Sequence, residues 1–493
     1  MFSLVPVTVA RGDGIGPEIT DATLTILHAA KARITPEFVT VGEAVYLNGT
    51  LSGIDATAWE SINRTRVLLK GPITTPLGKG YKSLNVTLRK TLGLFSNVRP
   101  VFSYAPYVKA LHPHMDLVII RENEEDLYAG IEHRHTAEVM QCLKLITVPG
   151  CERIIRYAFE YCRAQKRKRL TCVTKSNIMK LTDGTFQQVF ERMAPLYPDI
   201  QTDHQIVDIA TARVAARPQN YDVIVTLNLY GDIISDVAAE VAGSVGLAGS
   251  ANIGMKSAMF EAVHGSAPDI AGKDIANPGG LLNGAIMMLN YLKQHDVATS
   301  VHNASLCALE DGIHTADLVG TSTKKQVGTR EFAEAVISRL GRKPTKLVPV
   351  NYESGETHGR KDVAAPHFVV PEIPLLPVPQ KMFDGVDVFV DYDPPQGRDV
   401  ERLALLLQAA SRKDFKLSMI SNRGVVVWPN GHPDTYKADH WRCRFKTTDP
   451  AVQSSFAVID LLRHMADHKL DVIKTENLYS FDGQPGYSVG QGQ

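Results

Sequence analysis

Between residues 5 and 340, short runs rich in Val and Ile alternate with longer stretches whose apolar residues recur near every 3.6 positions. This alternation constrains the chain more than any other feature. Runs such as Leu117–Ile120, Leu170–Val173 and Asp222–Leu227 are too short for helices and end in polar, turn-prone residues. Pro17–Ala30, Gly150–Gln165, Asp183–Met193 and Gly279–His295 carry the helical spacing. Strands alternating with helices predict an α/β fold, and 493 residues leave room for about three compact units.

The pattern changes after residue 340. Seven of the 27 prolines lie between Pro344 and Pro379, so this stretch cannot continue a helix and reads as a connection between domains. Beyond it, Val386–Tyr392, Arg398–Ser411, Lys416–Trp428, His440–Lys446, Ala451–His468 and Val472–Tyr479 read as strand, helix, strand, strand, helix, strand. That βαββαβ order predicts a small split-βαβ sandwich.

Lys plus Arg and Asp plus Glu both total 53, so there is no net field to attract nucleic acid or an anionic membrane. The basic run Arg163–Arg169 reads either as a nucleic-acid patch or as a solvated helix end, and the second fits the neutral total better. The most apolar stretch, Val241–Met255, is broken by four glycines, which argues against a membrane span. A strand-like run leads directly into a motif at Arg11, leaving no room for a removable leader. Six scattered cysteines with no C-x-x-C pair fit reduced thiols, and the expectation is a cytoplasmic protein.

Several segments carry residues suited to chemistry. Arg11-Gly12-Asp13-Gly14-Ile15-Gly16-Pro17-Glu18 puts three glycines at alternate positions after a strand, as a tight strand-to-helix turn or a close approach to a ligand. The spacing is not that of a Rossmann dinucleotide site. Asp232 and Asp236, four apart on one helical face, repel unless a cation lies between them. Mg²⁺ or Mn²⁺ suits two such carboxylates; helix capping and solvation is the alternative. Ser83, Asn85 and Arg89 place a hydroxyl, an amide and a guanidinium at a helix start, an arrangement that can receive a carboxylate. Arg99 and Arg121 flank strand-like runs and fit either a polyanionic acid or surface ion pairs. Lys175, in a turn after a strand, is a proton-transfer candidate if buried and a solvent-facing lysine otherwise. The Gly/Pro/Ser-rich loop His264–Gly272, continued by Asn277-Pro278-Gly279, can wrap a nucleotide with its backbone amides.

Taken together, GDGIGPE, SLNVTLRK with NVRP, RENEEDLYAGIE, KSNIMK, NLYGDIISD and HGSAPDIAGKDIANP resemble the decarboxylating β-hydroxyacid dehydrogenases, the isocitrate/isopropylmalate dehydrogenase family, over about residues 5–340. The resemblance implies a two-lobed α/β fold that is not a Rossmann domain. It implies a large cofactor-binding lobe from residues 1–98 and 243–340, and a small lobe with the dimer interface from 99–242. A linker over 341–380 and an ACT-like domain over 381–493 complete the expected organisation.

By motif, Arg89, Arg99 and Arg121 are implied to hold the malate moiety, with Thr74, Ser83, Asn85 and Asn177 also at the substrate. Asp208, Asp232 and Asp236 are implied metal carboxylates, Asp208 offered by a partner subunit. Tyr128 is the implied general acid and Lys175 the partner's catalytic lysine. Ile15, Glu261, His264, Gly265, Ser266, Ala267, Asp269, Ile270, Asn277 and Asp317 are the implied coenzyme contacts. The Ser-x-Asn at Ser83 favours isocitrate over homoisocitrate and isopropylmalate. Asp269-Ile270 stands where NADP-dependent relatives tend to carry Lys-Tyr, and Thr315–Gly320 contains no arginine. A carboxylate accepts from two ribose hydroxyls and repels a 2′-phosphate, so NAD is the expected coenzyme. The expectation is therefore an NAD- and Mg²⁺- or Mn²⁺-dependent isocitrate dehydrogenase, working as a homo-oligomer whose sites are shared between subunits, with a homoisocitrate or 3-isopropylmalate dehydrogenase, or a non-catalytic regulatory subunit, as the alternatives.

Overall fold

The computed structural model of the protein describes residues 4–75, 83–243, 245–352, 377–411, 413–449 and 454–490. Lys82, most of the expected linker and the first residues of the helix expected at Ala451–His468 lie outside them. The chain divides into two compact units, Met1–Ala129 with Lys144–Pro371 and Gly130–Leu143 with Glu372–Gln493.

The first unit is built on one ten-stranded sheet. Its strands are β1 (Val5–Ala10), β2 (Ile34–Val39), β3 (Val67–Lys70), β4 (Ser96–Phe102), β5 (Asp116–Glu122), β6 (Arg169–Thr174), β7 (Gln201–Ile206), β8 (Val223–Thr226), β9 (Gly249–Ile253) and β10 (Ala258–Ala262). They lie in the order β2-β1-β3-β10-β9-β4-β5-β8-β6-β7. Both ends of the sheet are parallel, whereas β9 runs antiparallel to both β10 and β4, and β4 antiparallel to β5. Strands β3, β8, β9 and β10 are buried along their whole length, as strands are when helices cover both faces of a sheet, and they carry Lys70, Asn252 and Glu261 inside with them.

Three local expectations shift. The helix expected at Gly279–His295 stops at Tyr291, and a second runs from His295 to Glu310, the chain reversing at Lys293 with φ 56°. The sequence places the turn into the helix bearing Asp232 at Tyr230-Gly231, whereas the helix already starts at Asn228 and holds Gly231 inside it. The role of Gly231 is close approach: a Cβ there would lie 2.6 Å from the Cβ of Arg121. The basic run is absorbed by ion pairs, Arg163 with Asp199 at 2.6 Å, Arg167 with Asp116 at 2.6 Å and Asp222 at 2.8 Å, and Arg169 with Asp203 at 3.0 Å.

The second unit has β11 (Lys381–Asp391), β12 (Phe415–Asn422), β13 (Val425–Trp428), β14 (His440–Thr447) and β15 (Asp471–Phe481) in the order β13-β12-β14-β11-β15, every neighbour antiparallel. Helices Val400–Ala410 and Ser454–Asp467 cover a core of Val386, Val388, Leu403, Leu407, Trp441 and Leu461. This is the expected split-βαβ sandwich, except that the strand expected at Lys416–Trp428 is a hairpin. Arg423 and Gly424, at φ 51° and 82°, form its two-residue turn. The unit also takes in Gly130–Leu143, from within the lobe expected over 99–242. The Thr136 hydroxyl donates to Asp439 at 2.6 Å and Arg398 pairs with Glu138 at 2.8 Å.

Among the described residues no helix is long and apolar enough to cross a membrane. All six cysteines are free thiols, and five of them are buried.

Candidate active site

The register of β4 on β5 assembles the centre. Asn97 lies opposite Arg121, and Arg99 is the next residue on the same face of β4. Gly231 lets the helix Asn228–Ala242 close onto that face and lay Asp232 across both guanidinium groups. Arg99 Nη1 is 3.0 Å from Asp232 Oδ1, which Arg121 also contacts, and Tyr128 donates its hydroxyl to Asp232 Oδ2 at 2.6 Å. Arg121 is 1 % exposed, clamped by two donations to Asn228 Oδ1 at 3.0 and 2.8 Å, with Tyr128 lying under its guanidinium. Arg99 also donates to Ser235 and to Asn97, both at 2.6 Å.

The balance of charge here favours anions. Burial, reinforced by Arg99 and Arg89, pushes Arg121 below its ordinary range. Burial raises the Asp232 carboxyl, but Arg121 and Arg99 outweigh it and leave the group ionised below its usual value. Asp236 goes the other way: burial and the neighbouring Asp232 exceed the pull of Arg99 and raise it. A cation between these two carboxylates would relieve that repulsion, and hard oxygen donors suit Mg²⁺ or Mn²⁺. Burial, and after it Asp232, hold the Tyr128 hydroxyl above its ordinary range, so it keeps its proton at neutral pH.

Arg89 reaches the same region from the helix Leu84–Thr91. It pairs at 3.0 Å with Glu261, which also takes Lys70 at 2.8 Å and the Asn252 amide at 2.8 Å. Glu261, implied as a coenzyme contact, is buried behind Arg89. Ser83 occupies the N-cap of the helix but makes no side-chain cap bond, and the amide oxygen of Asn85 is buried without a partner among the described residues. Asn177 is exposed in the turn after β6.

The implied coenzyme residues gather around two loops. Gly12 and Gly14 sit at φ 75° and 58°, where Cβ atoms would lie 2.1 Å from Pro72 O and 2.0 Å from Ser266 O. The glycines thus let the turn dock on the His264–Ala267 loop: Ile15 N donates to Ser266 O, and the Thr74 and Ser266 hydroxyls meet, both at 2.8 Å. Burial lowers His264, whose Nε2 has no partner among the described residues, and Gly265 faces open space. Asn277 donates to Asp317 at 2.9 Å. Ala267, Asp269 and Ile270 belong to an outward turn in which Asp269 is exposed.

One implied grouping does not form within a chain. Lys175 Nζ lies 2.6 Å from Asp208, which is 68 % exposed, and no hydrogen bond or ion pair among the described residues joins this pair to Asp232. No three metal-ligating side chains of one chain converge among the described residues. The Lys175 hydrogen bond holds Asp208 below the usual carboxylate range.

Asn97, Asn228, Ser235, Asn252 and Lys70 were not singled out from the sequence. Two had a usable signal: Asn228 and Ser235 stand four before and three after Asp232, hence on its helical face.

A family model described as isocitrate/isopropylmalate dehydrogenase matches residues 6–336, and one described as bacterial isocitrate dehydrogenase, C-terminal domain, matches residues 381–493. A protein of Rickettsia bellii named isocitrate dehydrogenase [NADP] is 52 % identical over 504 residues, covering 100 % of both chains. One of the same name from Thermus thermophilus is 43 % identical over 99 % of this chain and 96 % of its own. A crystal structure of a Thermus thermophilus protein superposes with a TM-score of 0.90 at 43 % identity, again over 99 % and 96 %. These full-length relatives carry NADP in their names, which overturns the expectation of NAD. The carboxylate behind that expectation is not held by the fold: Asp269 is exposed and anchored by no hydrogen bond among the described residues, so its charge is not fixed in place to repel a 2′-phosphate. The chain belongs to the isocitrate/isopropylmalate dehydrogenase family, in the form that carries the C-terminal domain of the bacterial isocitrate dehydrogenases.

Proposed function

We propose that the protein is an isocitrate dehydrogenase that converts isocitrate and NADP⁺ to 2-oxoglutarate, CO₂ and NADPH. The observation that carries this is the buried Arg99–Arg121–Asp232–Tyr128 cluster, with Arg89 beside it: three guanidinium groups share few carboxylates and need a polyanion to complete them. Ser83 and Asn85, with side chains not used to cap their helix, favour a third carboxylate over an apolar substituent. The NADP names of the full-length relatives support NADP as the acceptor.

Asp232 and Asp236 would hold a divalent metal together with Asp208 of a second copy of the chain, since no hydrogen bond or ion pair among the described residues links Asp208 to them in its own. When bound, the metal supplies Lewis-acid polarisation of the substrate hydroxyl and carboxylate, and NADP accepts the hydride. The arginines orient the substrate before reaction and hold its charge as carbon dioxide leaves. Tyr128, its proton retained by burial, gives it to the carbon that lost carbon dioxide. Lys175 of the second copy moves the hydroxyl proton, while the docked loops around Ser266 exclude water from the transferred hydride.

The test is a panel of isocitrate, homoisocitrate and 3-isopropylmalate against NADP with Mg²⁺ or Mn²⁺. Isocitrate should give the highest kcat/KM; a higher value for either other acid would overturn the substrate assignment.

A further inference from the structure

One buried ammonium lies outside the machinery described so far. Lys144 Nζ, its side chain 11 % exposed, lies 2.9 Å from Asp126 Oδ1 and 3.0 Å from Asp183 Oδ1, and 4.6 Å from the ring centre of Tyr230. Both aspartate side chains are 0 % exposed. Each uses its other oxygen on a backbone amide next to a group of the reaction. Asp126 Oδ2 accepts from Leu229 N at 2.9 Å, at the start of the helix that carries Asp232. Asp126 itself, at φ 67°, makes the turn two residues before Tyr128, and its backbone accepts from Ala129 at 3.1 Å. Asp183 Oδ2 accepts from the backbone N of Lys175 at 2.7 Å. Lys144 therefore joins three separate segments, those bearing Tyr128, Asp232 and Lys175, while touching none of the reacting groups.

Two carboxylates with no exposure cannot stay ionised and close together without a cation. Without the ammonium, at least one would protonate or move, releasing the amide it holds. A displacement of about 1 Å in a positioned catalytic group is enough to cost about a hundredfold in rate.

We propose that Lys144 is a positioning residue, which through Asp126 and Asp183 sets Tyr128 and Lys175 relative to the Asp232 helix. This rests on the isocitrate dehydrogenase reading. The full-length enzyme with Lys144→Met should lose about a hundredfold in kcat with isocitrate and NADP. KM for isocitrate should change by less than about threefold, because Arg89, Arg99 and Arg121 keep their own partners. A folded variant with kcat within about threefold of wild type, or a loss appearing wholly in KM, would overturn the proposal.

A second variant separates positioning from simple charge balance. Lys144→Met with Asp183→Asn restores the net charge of the buried cluster. Thermal stability should return towards wild type while kcat stays at least about thirtyfold down; joint recovery of both would leave Lys144 a structural residue only. Hydrogen exchange at the Leu229 and Lys175 amides of the wild-type enzyme reads the geometry without turnover or substitution. Slow exchange at both is expected, and exchange as fast as in an open loop would refute the arrangement even if neither variant folds. If the wild type turns over no isocitrate while both amides are protected, the functional reading fails and the geometry stands.

Discussion

The two halves of the proposed catalytic apparatus differ in how completely one chain builds them. Around Asp232 the groups hold one another: Arg121 and Arg99 both meet Asp232, Arg121 is also held by Asn228, Arg99 by Asn97 and Ser235, and Tyr128 donates to Asp232. Around Lys175 there is a single ion pair among the described residues, to a carboxylate 68 % exposed. A buried, over-determined cluster is fixed before any ligand arrives, whereas an exposed pair gains its geometry from whatever covers it. Substitutions on the buried side should therefore cost both stability and rate, and substitutions at the exposed pair rate alone.

The harshest way to break this contrast is Arg121→Met. Removing one partner from a buried charge pair costs about 3–5 kcal/mol, because the other charge is left uncompensated. Here Asp232 is left with Arg99 alone, and an incoming carboxylate loses one of its guanidinium groups. The kcat/KM for isocitrate should fall by about three orders of magnitude or more, with a lower Tm; a loss below about tenfold would mean the cluster is not where the substrate binds. Tyr128→Phe is the sharper cut, removing one proton donor and no charge. Loss of a general acid costs about 10²–10⁴ in rate. The expectation is a kcat lower by about a thousandfold, with isocitrate binding in the presence of Mn²⁺, measured by calorimetry, within about threefold of wild type.

Much of this buried side was legible in the sequence, and the part that was not has a common cause. Arg99, Arg121 and Asp232 were open candidates by residue type, and only the family resemblance joined them with Tyr128 into one site; the structure brings the four side chains together. Their supports were not candidates: Asn97 reaches Asn252 at 2.8 Å across 155 residues of chain, and Asn252 reaches Glu261 through a strand pairing that no periodicity reveals. An isolated Asn or Lys70 in an apolar run carries no local signal of its partner. The split-βαβ order of the C-terminal unit was readable from its strand and helix spacing, whereas the capture of Gly130–Leu143 by that unit depends on contacts from Thr136 to Asp439 and from Glu138 to Arg398 across the fold. The coenzyme expectation failed for a related reason. Asp269 was weighed as a residue type at a motif position, and its charge counts only if the fold anchors it against the coenzyme.

Glu122 sharpens the contrast in its pH dependence. This carboxyl follows Arg121 and accepts from the backbone N of Glu124 at 2.7 Å and of Glu125 at 3.1 Å, yet burial outweighs those donors and pushes it up to about 7. In an unfolded chain it titrates near 4.3. Between those values the folded state holds the extra proton, so stability is greatest at the acid end and falls as pH rises through about 7. Glu122→Gln keeps an oxygen for both amides and cannot ionise. It should flatten that decline, adding about 2 kcal/mol or less at pH 8 relative to pH 5 after relaxation is allowed for, as read from chemical denaturation at the two pH values. An unchanged pH slope would place the buried titration elsewhere.

The exposed pair gives the smallest effect on stability and the most direct test of how the site is completed. Asp208→Asn removes a carboxylate open to water, so Tm should stay within about 1 °C of wild type, because exposed pairs contribute little to folding. Its activity should nevertheless be low, since the metal would lose one of three carboxylates. If that carboxylate serves a second copy, then Asp208→Asn and Tyr128→Phe chains, each nearly inactive alone, should complement when mixed and allowed to exchange subunits. In a two-fold dimer half of the random pairs are hybrids, and one of the two sites in each hybrid carries both native residues, so about a quarter of wild-type activity should return. If each chain used its own Asp208, mixing would restore nothing, and the single ion pair to Lys175 would have to reorganise within one subunit to reach Asp232.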